Sequence, residues 1–157
     1  MDDAPLTDSF GKKTYEYFLT KSFDDAFRAL KMIGLNPTYE NLKMGFAEVQ
    51  NISSRVLAKK TMAKKIEVIN PKLNLINIAL NGAADNDKTK QALSKLGVEK
   101  SIDFYGHLVF TNSQNILTEL YTIMEALQLL AYDEGMFLFK PMERKFGKAG
   151  IHDVLEQ

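Results

Sequence analysis

The stretch from 116 to 130 constrains this chain more than any other. Ile116, Leu117, Leu120, Ile123, Met124, Leu127 and Leu130 recur at three- and four-residue spacing, which puts them together on one helix face. A face that broad has to be buried as core. Four prolines and nine glycines in 157 residues sit between such periodic segments as punctuation. The pattern predicts an all-α protein.

Ser22 is expected to open the first clear helix. Its hydroxyl can cap the first turn, and Asp24 and Asp25 follow where the positive end of the helix dipole favours acids. Phe23, Ala26, Phe27, Leu30 and Ile33 form its apolar face. Gly34 offers a left-handed stop and Pro37 cannot continue the helix. Thr38 caps a second helix carrying Leu42, Phe46 and Val49, so two antiparallel helices are expected around a Gly-Leu-Asn-Pro connection. The second helix is free to run past Gln50 into a basic stretch containing Arg55, Lys59, Lys60, Lys64 and Lys65. Asn70 is expected to cap a short segment with Pro71 at its first position, a favoured placement, and Gly82 to end it. Partial alternation around Leu73 and Leu75 leaves a strand open there. Residues 83–90 read as a polar loop, with Asp87 capping a short helix that stops at Gly97. Ser101 to Phe104 reads as a brief extended piece leading into 105–110, and the next helix begins near Ser113.

Twenty basic residues balance twenty acidic ones, so no global field draws the chain to nucleic acid or to an anionic membrane. Without cysteine, disulfides and cysteine-ligated metal sites are excluded, which fits a reducing compartment. The acidic Met1-Asp-Asp-Ala-Pro start is not a signal peptide, and no run approaches the ~18 apolar residues of a membrane span. An intracellular, cytoplasmic setting is expected.

Catalytic signatures are missing. There is no His-Glu-x-x-His, no Gly-x-Ser-x-Gly, no phosphate-binding glycine loop and no dinucleotide turn. His107 and His152 are the two histidines, too few for a histidine-rich metal site, and Asp103, Glu119, Glu125 and Glu134 show no spacing that marks an acid/base pair. The chain is expected not to be an enzyme and to need no cofactor. Several cations on one helix between 55 and 72 could contact phosphates, but no aromatic residue is interleaved to stack on bases. A solvated face, or a linker touching an acidic partner, accounts for that stretch more simply. Met136-Phe137-Leu138-Phe139 places four large apolar residues in a row, so at least one side is expected to meet another lobe or a partner.

Three places resemble the calmodulin, centrin and myosin light chain superfamily. Arg28-Ala-Leu followed by Gly34-Leu-Asn-Pro-Thr38 and Glu40 is similar to the join between two EF-hands. Lys100-Ser-Ile-Asp-Phe104 is similar to the end of a calcium loop. Residues 118–151, with Asp133-Glu134 between two helices and Gly150-Ile151 after them, resemble the second half of a lobe. The calcium ligands themselves are lacking. Lys145, Phe146, Gly147, Lys148 and Ala149 stand where carboxylates would lie. A loop begun at Asp85 puts Lys90 at its sixth position and Leu96 at its twelfth, where an EF-hand needs Gly and a bidentate Glu. No metal site is expected.

The resemblance implies two EF-hand-like lobes of paired helices, the alternative being a single helical bundle. Phe27-Arg-Ala-Leu-Lys-Met-Ile-Gly34 also lines up with Met124-Glu-Ala-Leu-Gln-Leu-Leu-Ala131, as an internal duplication would. The expected division is an N-terminal lobe over 1–69, connecting elements over 70–112 and a C-terminal lobe over 113–157. The implied function is a calcium-independent, light-chain-like subunit that grips an amphipathic helix of a larger protein, such as a myosin or another cytoskeletal protein. One groove would be lined by Phe23, Phe27, Leu30, Leu42 and Phe46. The other would be lined by Leu120, Met124, Leu127, Phe137, Met142 and Phe146. Two alternatives stand beside it: an unrelated helical scaffold or oligomerising subunit, and a nucleic-acid-binding accessory protein using 55–72.

Overall fold

In the computed structural model, which describes residues 9–57, 63–83 and 85–133, the first helix starts well before Ser22. Helix α1 (Ser9–Leu35) runs for 27 residues, because Leu19 carries the stripe of Phe23, Ala26, Leu30 and Ile33 back by another turn. All five are buried. Ser22 is therefore an interior residue and not a cap. Its Oγ donates to the Phe18 carbonyl at 2.9 Å, the bond a helical serine makes to the preceding turn. At the other end, Thr38 Oγ1 accepts the Asn41 N–H at 3.1 Å, and helix α2 (Tyr39–Leu57) packs along α1 as its apolar face requires.

Pro71 gives the second correction. It lies inside helix α3 (Ala63–Asn81) and not at the head of a short segment. The ring costs one backbone hydrogen bond there. Ile69, Leu73, Ile76 and Leu80, at helical spacing and all buried, hold the turns on both sides of it against the core. The strand left open at Leu73 and Leu75 is not formed.

Helix α4 (Asp87–Leu96) follows, then strands β1 (Glu99–Ile102) and β2 (Leu108–Thr111), then helix α5 (Gln114–Asp133). The strands pair antiparallel, with Lys100 opposite Phe110 and Ile102 opposite Leu108. The Lys100–Phe104 segment, likened above to a calcium-loop end, thus pairs with its immediate successor in sequence. Apart from this hairpin the described residues are mostly helical, and the protein is all-α.

The expected break after residue 69 falls within α3, and the core does not divide there. Phe23 and Leu30 of α1, Leu42 and Phe46 of α2, Ile76 of α3 and Leu120, Met124 and Leu127 of α5 belong to one continuous buried cluster. The 116–130 stripe sits against α1, α2 and α3 together. This cluster is made of described residues, and the 134–157 part of the expected C-terminal lobe lies outside them. Among the described residues no helix is long and apolar enough to cross a membrane.

Candidate functional site

Helices α3 and α4 meet at a tight corner whose geometry depends on one glycine. A Cβ on Gly82 would collide with Thr89 Oγ1 and lie 2.7 Å from the Ile78 carbonyl oxygen. Any larger residue would therefore push the start of α4 off the end of α3. Asn86, one residue before the expected Asp87, is the N-cap. Its backbone is extended (φ −83°, ψ 135°), so its Oδ1 can accept the N–H groups of Lys88 at 2.9 Å and Thr89 at 3.2 Å. Asp87 falls in the first turn instead.

Within α4, Thr89, Ala92 and Leu96 are buried. Lys88, Gln91 and Lys95 are spaced by three and four residues and share one exposed flank, while Lys90 and Ser94 lie on the outermost side. Three lysines stand against the single acid Asp87 in this helix. Among the described residues no ion pair engages them.

Two residues after α4 the chain enters the hairpin, and Lys100 fixes its base. Lys100 Nζ donates to the carbonyls of Gly82 at 2.8 Å, Leu80 at 3.1 Å and Ala79 at 3.4 Å. A cation there meets the negative end of the α3 dipole, although burial pulls the Lys100 pKa below its ordinary value. Tyr39 completes the joint: its hydroxyl donates to the Leu80 carbonyl at 3.0 Å and its ring stacks on Phe110 with centroids 5.9 Å apart. The corner, α4 and the hairpin base are thereby tied into one unit.

The far end of the hairpin is built differently. Asp103 Oδ1 accepts the N–H groups of His107 at 2.8 Å and Tyr105 at 2.9 Å, and the Gly106 N–H donates to the Asp103 carbonyl at 3.0 Å. Gly106 takes φ +84°, which a glycine adopts without strain. The His107 N–H, then that of Tyr105, holds the Asp103 carboxyl below its usual range. Around this fixed turn Phe104 is 95% exposed, Tyr105 78% and Ile102 64%. Phe104 and Tyr105 stand edge to face at 5.4 Å, with the His107 ring 6.3 Å from Tyr105.

The residues assigned to helix-gripping grooves are placed otherwise. Phe23, Leu30, Leu42, Phe46, Leu120, Met124 and Leu127 are buried in the common core, and Phe27 is half-buried against it, stacked on Phe23 and Tyr121. These eight cover one another, because the two stripes expected to form separate grooves face each other. Phe137, Met142, Phe146 and the 134–157 segment lie outside the described residues. Of the 55–72 cations, Lys72 pairs with Glu119 at 3.1 Å, Arg55 ends α2, Lys64 and Lys65 fall in the first turn of α3, and Lys59 and Lys60 lie outside the described residues. Among those residues no group of three or more His, Cys, Asp or Glu is placed to hold a metal ion.

Two other features were not foreseen. A groove of about 530 Å³ runs between α2 and α3, lined by Gln50, Ser53, Ser54, Asn70, Asn74 and Asn77 over Leu57 and Leu73. Its amides and hydroxyls carry no charge and supply no acid, base or nucleophile of perturbed reactivity. Glu125 in α5 is only 4% exposed, and burial pushes its carboxyl up to about 7. Compared with protein-family models, with curated proteins and with solved structures, the chain matches none.

Proposed function

We propose that this chain binds nucleic acid, with α3 and α4 acting as a helix–turn–helix and α4 meeting the backbone. The observation that carries the reading is the asymmetry of α4: an apolar side sealed on the core, a lysine-bearing flank in solvent, and a glycine corner holding it against α3. Two helices joined by a short glycine-containing turn are the usual means of presenting one helix to a duplex. Asp85 and Asp87 at the N-terminal end repel phosphate, so contact falls to the Lys88, Gln91 and Lys95 flank. A local cationic patch serves this purpose in a chain of zero net charge, because phosphate contacts act over short range at physiological salt. The charge invoked is on α4 and not on 55–72.

The test is fluorescence anisotropy of the full chain with mixed-sequence DNA, as duplex and as single strand, across a salt series. Binding should weaken with salt, and the Lys88→Gln/Lys95→Gln variant should lower the log–log slope by about 1.4–1.8, two phosphate contacts' worth. No binding to either form at ~50 mM salt, or an unchanged slope in the variant, overturns the reading. The rival grip on an amphipathic helix would require α5 to leave α1 and α2 so as to uncover Leu120, Met124 and Leu127. It calls for affinity isolation of the tagged chain with and without EDTA. Recovery of one large protein bearing a basic amphipathic helix, together with absence of DNA binding, would favour it.

A further inference from the structure

Among the described residues, the hairpin extends its apolar face beyond anything that covers it. Phe110 and Lys100 sit opposite each other at the base, packed against Tyr39 and the end of α3. The next pair outward on that face is Ile102 opposite Leu108, already exposed or half-exposed, and the arm ends in Phe104 and Tyr105. Large side chains so open to water need a reason. Core packing does not supply one, since the core stops at Phe110. The turn does not depend on those side chains either, because the Asp103 carboxylate, accepting two backbone N–H groups, and the Gly106 N–H, donating to the Asp103 carbonyl, build it.

We propose that the arm is a stacking wedge, and that Phe104 and Tyr105 engage unpaired nucleobases. The chain would then prefer nucleic acid with exposed bases, a single strand or a frayed junction, over intact duplex. This deepens the preceding reading and rests on it. Two observations favour bases over other occupants. The arm leaves α4 after two residues and is pinned by Lys100 to the corner that positions α4, so the rings and the lysine flank belong to one unit. The tip presents three flat rings, Phe104, Tyr105 and His107, and aromatic faces stack on any base. A turn fixed in advance loses little freedom when a base is bound.

The experiment compares the full chain with the Phe104→Ala/Tyr105→Ala and Lys88→Gln/Lys95→Gln variants. The probes are a single strand and a duplex of one length, each carrying 2-aminopurine. The aromatic variant should lose about ten-fold or more in single-strand affinity, keep the wild-type salt slope and fail to quench 2-aminopurine. The lysine variant should still quench and should lose slope. Unchanged thermal melting of the aromatic variant confirms that the fold is intact. If the lysine variant behaves as stated while the aromatic variant binds and quenches like wild type, the wedge is wrong and the helix–turn–helix reading stands. If the wild type binds neither probe, both fall. Aromatic-dependent binding to phosphatidylserine vesicles without any to DNA also overturns the wedge.

Discussion

The bundle of α1, α2 and α5 and the unit made of the α3–α4 corner and the hairpin share one apolar core but differ in how much directional polar bonding they add to it. In the bundle, apolar stripes cover one another, and stability comes from area removed from water. In the corner and arm, Leu80, Ala92, Leu96 and Phe110 join the core and polar groups add direction: Asn86 caps α4, Lys100 ties the hairpin to α3, Asp103 closes the turn, and Phe104 and Tyr105 at the tip stay exposed. A region held by area tolerates the loss of any one polar contact. Where directional bonds add to the packing, losing one shifts the geometry, and only the tip side chains Phe104 and Tyr105 are left open to water.

The sharpest test of that contrast is in the bundle. Phe23, fully buried, should cost about 3–5 kcal/mol when replaced by Ala, read as a lower urea midpoint. A loss below ~1 kcal/mol would mean that the stripes are not the main support. Next in size is Glu125, the one buried acid among the described residues. With the Glu125 carboxyl raised from 4.5 to about 7, the folded state holds a proton that the unfolded chain has released. Stability should therefore fall as pH rises from about 4.5 to 7 and level off above, by at most about 3 kcal/mol. Glu125→Gln should flatten that profile in pH-dependent melting; an unaltered slope would place the titration elsewhere. Smallest is the corner: Gly82→Ala should cost ~1–3 kcal/mol, since its Cβ strikes Thr89 and a backbone oxygen. It should weaken DNA binding by more than its effect on melting explains. Equal loss in both would reduce the corner to ordinary packing.

What could be read from the sequence follows the same division. The α5 stripe, the Thr38 cap and the α1–α2 pairing are legible because each depends on residues within one or two turns of each other. Gly34, however, is no left-handed stop: it lies inside α1, which runs on to Leu35. Ser22 and Pro71 were misread as helix starts because local propensity places them there, while Leu19, Ile69 and Leu73 decide the matter through distant packing. The stripes of α1, α2 and α5 were recognised as apolar, but a stripe does not say whether it faces a partner or another stripe of the same chain. The hairpin has a sequence signal of its own: Asp103 and Gly106 hold the first and last positions of a four-residue turn, with Ile102 before it and Val109 and Thr111 after it. Lys100 had none, since its three acceptors lie 18 to 21 residues away.

That lysine also gives the arm a mechanical character. Its head group bonds carbonyls at the terminus of a 19-residue rod, so the hairpin is a lever whose fulcrum is the end of α3. Torque applied at Phe104 is delivered through a cluster of short bonds into a stiff helix that crosses the core. On the proposed reading, load at the tip passes to the core through Lys100 and the end of α3.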